Sequence, residues 1–332
     1  MGKRTVFFKN KPVITGVSTI AGPKESMGPI GKYIETRLEN DKFDEKTFEK
    51  AECKMLSFAI DGAIKNANKK REEIDAILAG DLLNQIISSS YAARDFEIPY
   101  IGVYNACSTM SESMALGSVL IDGGYMENVI CATGSHFATA ERQYRYPLEL
   151  GSVRPPQAQW TVTGAGAVTL SKKGKGPIIT MATFGKVVDF GITDANNMGA
   201  AMAPAAVDTL ITHFNENNFS PDDYDLIITG DLGSFGSKLF KDLVWEKGFD
   251  ISTKHVDCGA IIYEAHEKEF QGGSGAGCSA VVLNSYFYNK LKNKEINKIF
   301  FLATGALLST VSTQQGESIP CISHGVVIEN RG

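Results

Sequence analysis

Hydrophobic residues in this chain gather into short, nearly unbroken runs, and longer stretches with apolar residues at helical spacing lie between them. "AILAG" (76–80), "VICATG" (129–134) and "IFFLATG" (299–305) lack the alternation of a half-exposed strand. Such runs predict strands covered on both faces. In "ECKMLSFAIDGAIKNAN" (52–68) and "PAAVDTLITHFNENN" (204–218), apolar residues recur every three or four positions, as on amphipathic helices. Strands alternating with helices predict an α/β fold.

The pattern also repeats. "REEIDAILAGDL" (71–82) matches "PDDYDLIITGDL" (221–232), with Asp75 answering Asp225 and Gly80-Asp81-Leu82 answering Gly230-Asp231-Leu232. In the same order "KPVIT" (11–15) answers "GPIIT" (176–180), "NVICATG" (128–134) answers "IFFLATG", and "AGAVTL" (165–170) answers "HGVVIE" (324–329). "ACS" (106–108) answers "GCS" (277–279), each heading a helix-like stretch. A duplication into halves 1–175 and 176–332 accounts for all of these. It predicts two sheets about a pseudo-twofold axis, helices between and outside them, and a pocket where the two Cys-Ser helix starts meet.

Composition narrows the function. The net charge of −5 argues against a nucleic-acid binder. Six scattered cysteines form no CxxC pair, which argues against a zinc knuckle or a redox pair and for free thiols in a reducing interior. The chain shows no signal-peptide pattern and no run of about 18 apolar residues. Membrane contact is therefore expected through other proteins. The mixed-charge stretch "PIGKYIETRLENDKFDEKTFEKAECK" (29–54) reads as a solvated helix face.

The chemistry concentrates at "YNACSTMSESMALG" (104–117). A thiol in the first turn of a helix lies among unpaired N–H groups at the positive end of the dipole, where cysteines become nucleophiles. This segment resembles the nucleophile helix of the thiolase and ketoacyl-synthase superfamily, and the duplicated pattern resembles its αβαβα layered sandwich. The strings "SHFATAERQYRYPLELGSVRPPQAQWTVTGAGA" and "DLIITGDLGSFGSK" extend the resemblance to a branch of sporulation proteins. It implies a thiolase-like protein that binds dipicolinic acid, alone or with calcium. It further implies a homodimer at the spore inner membrane that works with membrane SpoVA proteins in dipicolinate uptake.

The resemblance also marks what is missing. Condensing enzymes set two nitrogen donors, His or Asn, near the thiol. At the matching places this chain has Gly230-Asp231, Glu269 and nearby Gly272. A carboxylate there opposes thiolate formation. The expectation is a non-catalytic protein with no cofactor or metal, in which Cys107 and Ser108 form a pocket floor. The rivals are an acyl-CoA or acyl-carrier-protein condensing enzyme acting through Cys107, and a scaffold for membrane subunits.

Other candidates come from the residues themselves. His136 follows a strand end, where α/β sites are built, and His324 lies in the last strand, near where thiolases place a second reactive residue. His213 reads as a solvated helix end, and His255 and His266 as structural. The segment 135–160 is long for a connection and offers Arg142, Arg145 and Arg154 among aromatic residues. Arginine forks suit carboxylates and rings stack on a pyridine, but the same residues suit a dimer interface. The candidate ligand set is Cys107, Ser108, His136, Arg142 and His324. The Gly-rich "GGSGAG" (272–277) adds a backbone anion site or a tight turn.

Overall fold

A computed structural model describes residues 3–145, 147–263 and 271–330. His266 and Glu269 lie outside the described residues. Ten strands carry the fold: β1 (Val13–Ala21), β2 (Ala76–Gly80), β3 (Tyr100–Gly102), β4 (Asn128–Ser135), β5 (Gly164–Ser171), β6 (Ile178–Thr183), β7 (Leu226–Thr229), β8 (His255–Asp257), β9 (Lys298–Ala306) and β10 (Cys321–Glu329). Seven helices position the site: α1 (Phe48–Asn66), α2 (Ile87–Arg94), α3 (Thr109–Asp122), α4 (Phe137–Tyr144), α5 (Met198–Asn217), α6 (Gly233–Glu246) and α7 (Ala276–Val282).

The strands run β8-β7-β9-β10-β6-β1-β5-β4-β2-β3 across the molecule, a palindrome of the duplicated pattern. In one half β2 pairs in parallel with β3 and β4, while β5 is antiparallel to β4 and β1. The other half repeats this with β7, β8 and β9, then β10 and β6. The expected two sheets are in fact one continuous path, because Val13 and Ile178 pair where β1 meets β6. Helix α1 packs on β1, β4 and β5, α5 packs on β9 and β10, and α3 and α7 fill the layer between the halves.

The repeat persists because its residues perform the same task twice. The Asp75 carboxylate accepts from the N–H groups of Glu127 and Asn128 at 2.7 and 2.9 Å, tying the start of β4 to the foot of β2. Its mate Asp225 accepts from Asn297 and Lys298 at 2.6 and 3.0 Å, at the start of β9. Each aspartate satisfies two N–H groups where a new strand enters the sheet. The runs "AILAG" and "IFFLAT" are fully buried, as their lack of alternation requires.

Two further expectations change. His213 is buried, not solvated: Nδ1 lies 2.7 Å from the Thr183 hydroxyl, Nε2 2.6 Å from the Tyr224 hydroxyl, and the ring stacks on Phe300 at 4.1 Å. Burial lowers its pKa to about 3, so it stays neutral. The stretch 29–54 is helical only from Phe48 onward apart from one short turn, and it buries Ile30, Ile34 and Glu52. The long segment after Ser135 is regular at its start and without helix or strand over 151–159. It folds as α4, a short turn at Leu148–Leu150, and a Phe137–Trp160 stack at 3.9 Å. Among the described residues no helix is long and apolar enough to cross a membrane.

Candidate functional site

Cys107 sits in the turn Ala106–Ser108 that leads into α3. Ala106 carries a φ of +46°, unusual for a residue with a Cβ, and the Thr109 hydroxyl donates to its carbonyl at 2.6 Å. Strain of this kind persists where surrounding contacts over-determine the backbone. One such contact comes from Gly305 at the end of β9, where a Cβ would stand 2.1 Å from the Asn105 carbonyl oxygen. Glycine in the second "ATG" thus lets one half of the molecule press against the cysteine turn of the other.

The group facing the thiol is Asp231, at the end of β7. It is fully buried, acts on the Cys107 thiol, and accepts from the Gly275 N–H at 3.0 Å and the Thr304 and Ser274 hydroxyls at 3.1 and 3.3 Å. Burial raises this carboxyl to about 7 despite those bonds. Behind it Asp257, also buried, accepts from the Leu232, Gly233 and Ala260 N–H groups and is raised by burial to about 6. The Cys107 thiol is pushed well above its ordinary value, first by burial and then by the Asp231 charge. The Gly275 N–H and the Arg145 charge act in the opposite direction and do not prevail. The helix start therefore fails to produce a low-pKa thiol here.

A cavity of about 360 Å³ opens over Cys107, walled by Asp81 and the Leu82–Ile86 loop, Tyr104 and Ala106, Tyr144 and Arg145, Met198 and Met202, Gly275, and Ala306 to Leu308. Both halves contribute, and Cys107 and Gly275 from the two Cys-Ser helix starts meet in it. The Leu82–Ile86 wall holds Gln85 and Ile86 at φ of +59° and +45°. Asp81 is the repeat mate of Asp231. Its carboxylate accepts from the Leu83 and Ser89 N–H groups at 2.8 and 2.7 Å.

Of the candidate ligand residues, Cys107 lines this cavity and the other four point elsewhere. The Ser108 hydroxyl donates to the Ala303 carbonyl at 3.0 Å and accepts from the His324 N–H at 3.3 Å, because it faces the β9 and β10 strands. His136 caps α4, with Nδ1 accepting from the Ala138 N–H at 3.1 Å and Nε2 donating to the Asp41 carbonyl at 2.8 Å. Arg142 pairs with Glu49 at the surface. His324 accepts from the Gly185 N–H at 3.1 Å, and its Nε2 lies 3.0 Å from the Asn105 amide. Burial lowers it to about 4, one residue pair away from the cysteine turn.

Among the described residues no histidine lines the cavity, and no group of three His, Cys, Asp or Glu is placed to hold a metal ion. The N–H groups of "GGSGAG" are partly spent within the protein, Gly275 on Asp231 and Gly277 on the Ser135 hydroxyl at 3.0 Å. Asp81, Arg145, Met198, Met202 and Leu307 are lining residues outside the candidate set. For Asp81 the signal was present in the repeated Gly-Asp-Leu.

The family model of stage V sporulation protein AD, SpoVAD, matches residues 2–329. The chain belongs to the SpoVAD family. It is 46% identical over 331 residues to stage V sporulation protein AD of Bacillus subtilis (strain 168), covering 100% of this chain and 98% of that one. Among solved structures, a variant of OleA from Xanthomonas campestris superposes with a TM-score of 0.63 at 14% identity, covering 97% of this chain and 99% of that one. The 3-oxoacyl-[acyl-carrier-protein] synthase III of Aquifex aeolicus VF5 gives 0.58 at 12% identity, over 96% and 99%. At such identities these likenesses establish the fold alone. The SpoVAD-family chain is a sporulation protein on a thiolase-like scaffold.

Proposed function

We propose that this protein is a non-catalytic binder of dipicolinate that supports its uptake into the developing spore. In this reading it works beside membrane SpoVA proteins, peripheral to the spore inner membrane and as a homodimer. The observation that carries the reading is Asp231 against Cys107. A carboxylate occupies the place from which a nucleophile needs a nitrogen donor, and it stabilises the protonated thiol. A buried thiol held neutral is a poor nucleophile and a serviceable apolar floor for a ring. The cavity volume of about 360 Å³ falls within the range of small-molecule sites. Met198 and Met202 offer sulfur contacts to an aromatic ring. The exposed Tyr91, Ile101 and Tyr104 around edge strand β3 supply an apolar surface for a second copy.

Isothermal titration of the purified protein with dipicolinate tests this. The expected result is saturable, one-site binding that benzoate displaces far more weakly than dipicolinate itself. Absence of heat, or equal displacement by benzoate, contradicts it. In parallel, incubation with acetyl-CoA and malonyl-CoA is expected to leave the intact mass unchanged. A Cys107 acyl adduct that turns over would instead establish the condensing enzyme.

A further inference from the structure

Arg145 follows directly on α4 and lines the cavity over Cys107, with only 8% of its side chain exposed. Its Nη1 donates to the Glu141 carboxylate and, at 3.4 Å, to the Thr161 hydroxyl. Its Nε–H is buried and meets no acceptor among the described residues. A buried donor on a charged group without a partner is destabilising, because its lost hydration is not replaced. Arg145 lines the cavity, so an acceptor that enters there meets the guanidinium. Two other polar groups of the wall are already engaged: Asp81 by backbone N–H groups, and the Tyr144 hydroxyl by the Leu82 carbonyl.

We propose that Arg145 is the residue that recognises the ligand, holding one carboxylate of a flat aromatic acid through its guanidinium while Glu141 holds that group in place. The assignment rests on the dipicolinate reading above and deepens it. Glu141 is itself buried and also accepts from Arg154 at 2.9 Å, so the fork is held in place before the ligand arrives. A planar guanidinium fixed along one edge offers its remaining donors in one direction, which suits a carboxylate lying in the plane of a ring. Arg142, one helical turn earlier, lacks this arrangement because it turns to Glu49 at the surface.

The test compares dipicolinate with its uncharged diamide by isothermal titration on wild type, Arg145→Gln, Arg145→Lys and Arg142→Gln, with circular dichroism to check folding. Losing a buried charge-assisted contact is expected to weaken dipicolinate binding roughly 30-fold in Arg145→Gln. Diamide binding should be unchanged, and Arg142→Gln should match wild type. Arg145→Lys keeps a cation beside Glu141 without the fork, so it carries the test should the glutamine variant not fold, and it too is expected to lose affinity. Dipicolinate affinity within twofold of wild type in a folded Arg145 variant overturns the assignment and leaves the cavity reading standing. If wild type itself takes up no dipicolinate, the cavity reading falls and the assignment falls with it.

Discussion

Replacing Asp231 by asparagine should make Cys107 react with iodoacetamide at least about tenfold faster at pH 8. In the wild type, burial and the Asp231 carboxylate both hold the thiol well above its ordinary value. Burial remains in the variant but the charge is gone. Two unit charges about 4 Å apart interact by about 4 kcal/mol at an effective dielectric of 20, and every 1.36 kcal/mol changes the thiolate fraction tenfold. Tenfold is thus a lower bound that allows for relaxation. Mass spectrometry of the Cys107 peptide over time measures the rate, and a change under twofold would mean that Asp231 does not govern the thiol.

The same substitution has a consequence for stability with a definite sign. The Asp231 carboxyl is raised to about 7 in the folded chain, against about 3.9 when unfolded. The folded state keeps its proton across that window while the unfolded state releases it. Wild-type stability therefore falls relative to Asp231→Asn as the pH rises from about 4 through 7, and the gap is constant above.

Filling the cavity should abolish binding without unfolding the protein. Ala306 ends β9 and lines the cavity while remaining only half-buried. In Ala306→Trp the indole takes the space where the ring of the ligand rests. Dipicolinate affinity should fall on the order of 100-fold, a loss of about 2.7 kcal/mol. The thermal midpoint should stay within a few degrees of wild type, because no buried side chain is removed. Wild-type affinity in this variant would place the ligand elsewhere.

The duplication was legible because its signals are local: a carboxylate tethering the next strand, an unbroken apolar run, and a Cys-Ser pair at a helix start. Asp75 and Asp225 perform the same hydrogen bonding within their own halves, so the strings alone expose them. The candidate site was legible only in outline. Cys107 could be placed in the pocket from its own helix start. Choosing between Arg142 and Arg145 could not be done from the string alone, since they lie three residues apart at the end of one helix. Their partners decide it: Glu49, far along the chain, draws one outward, and Glu141 with Thr161 holds the other inward. His213 misleads for the same reason: its sequence neighbours are polar, while Thr183, Tyr224 and Phe300 come from segments far along the chain. Ser108 turns away from the pocket because β9 and β10 offer it a carbonyl and an N–H.

The most direct measurement is a crystal structure of the protein grown with dipicolinate. A flat ring is expected over Cys107, between the Leu82–Ile86 wall and Met198 with Met202, with one carboxylate on Arg145 and an unmodified thiol still beside Asp231. Dipicolinate bound away from Cys107, or an acyl group carried on its sulfur, would contradict it.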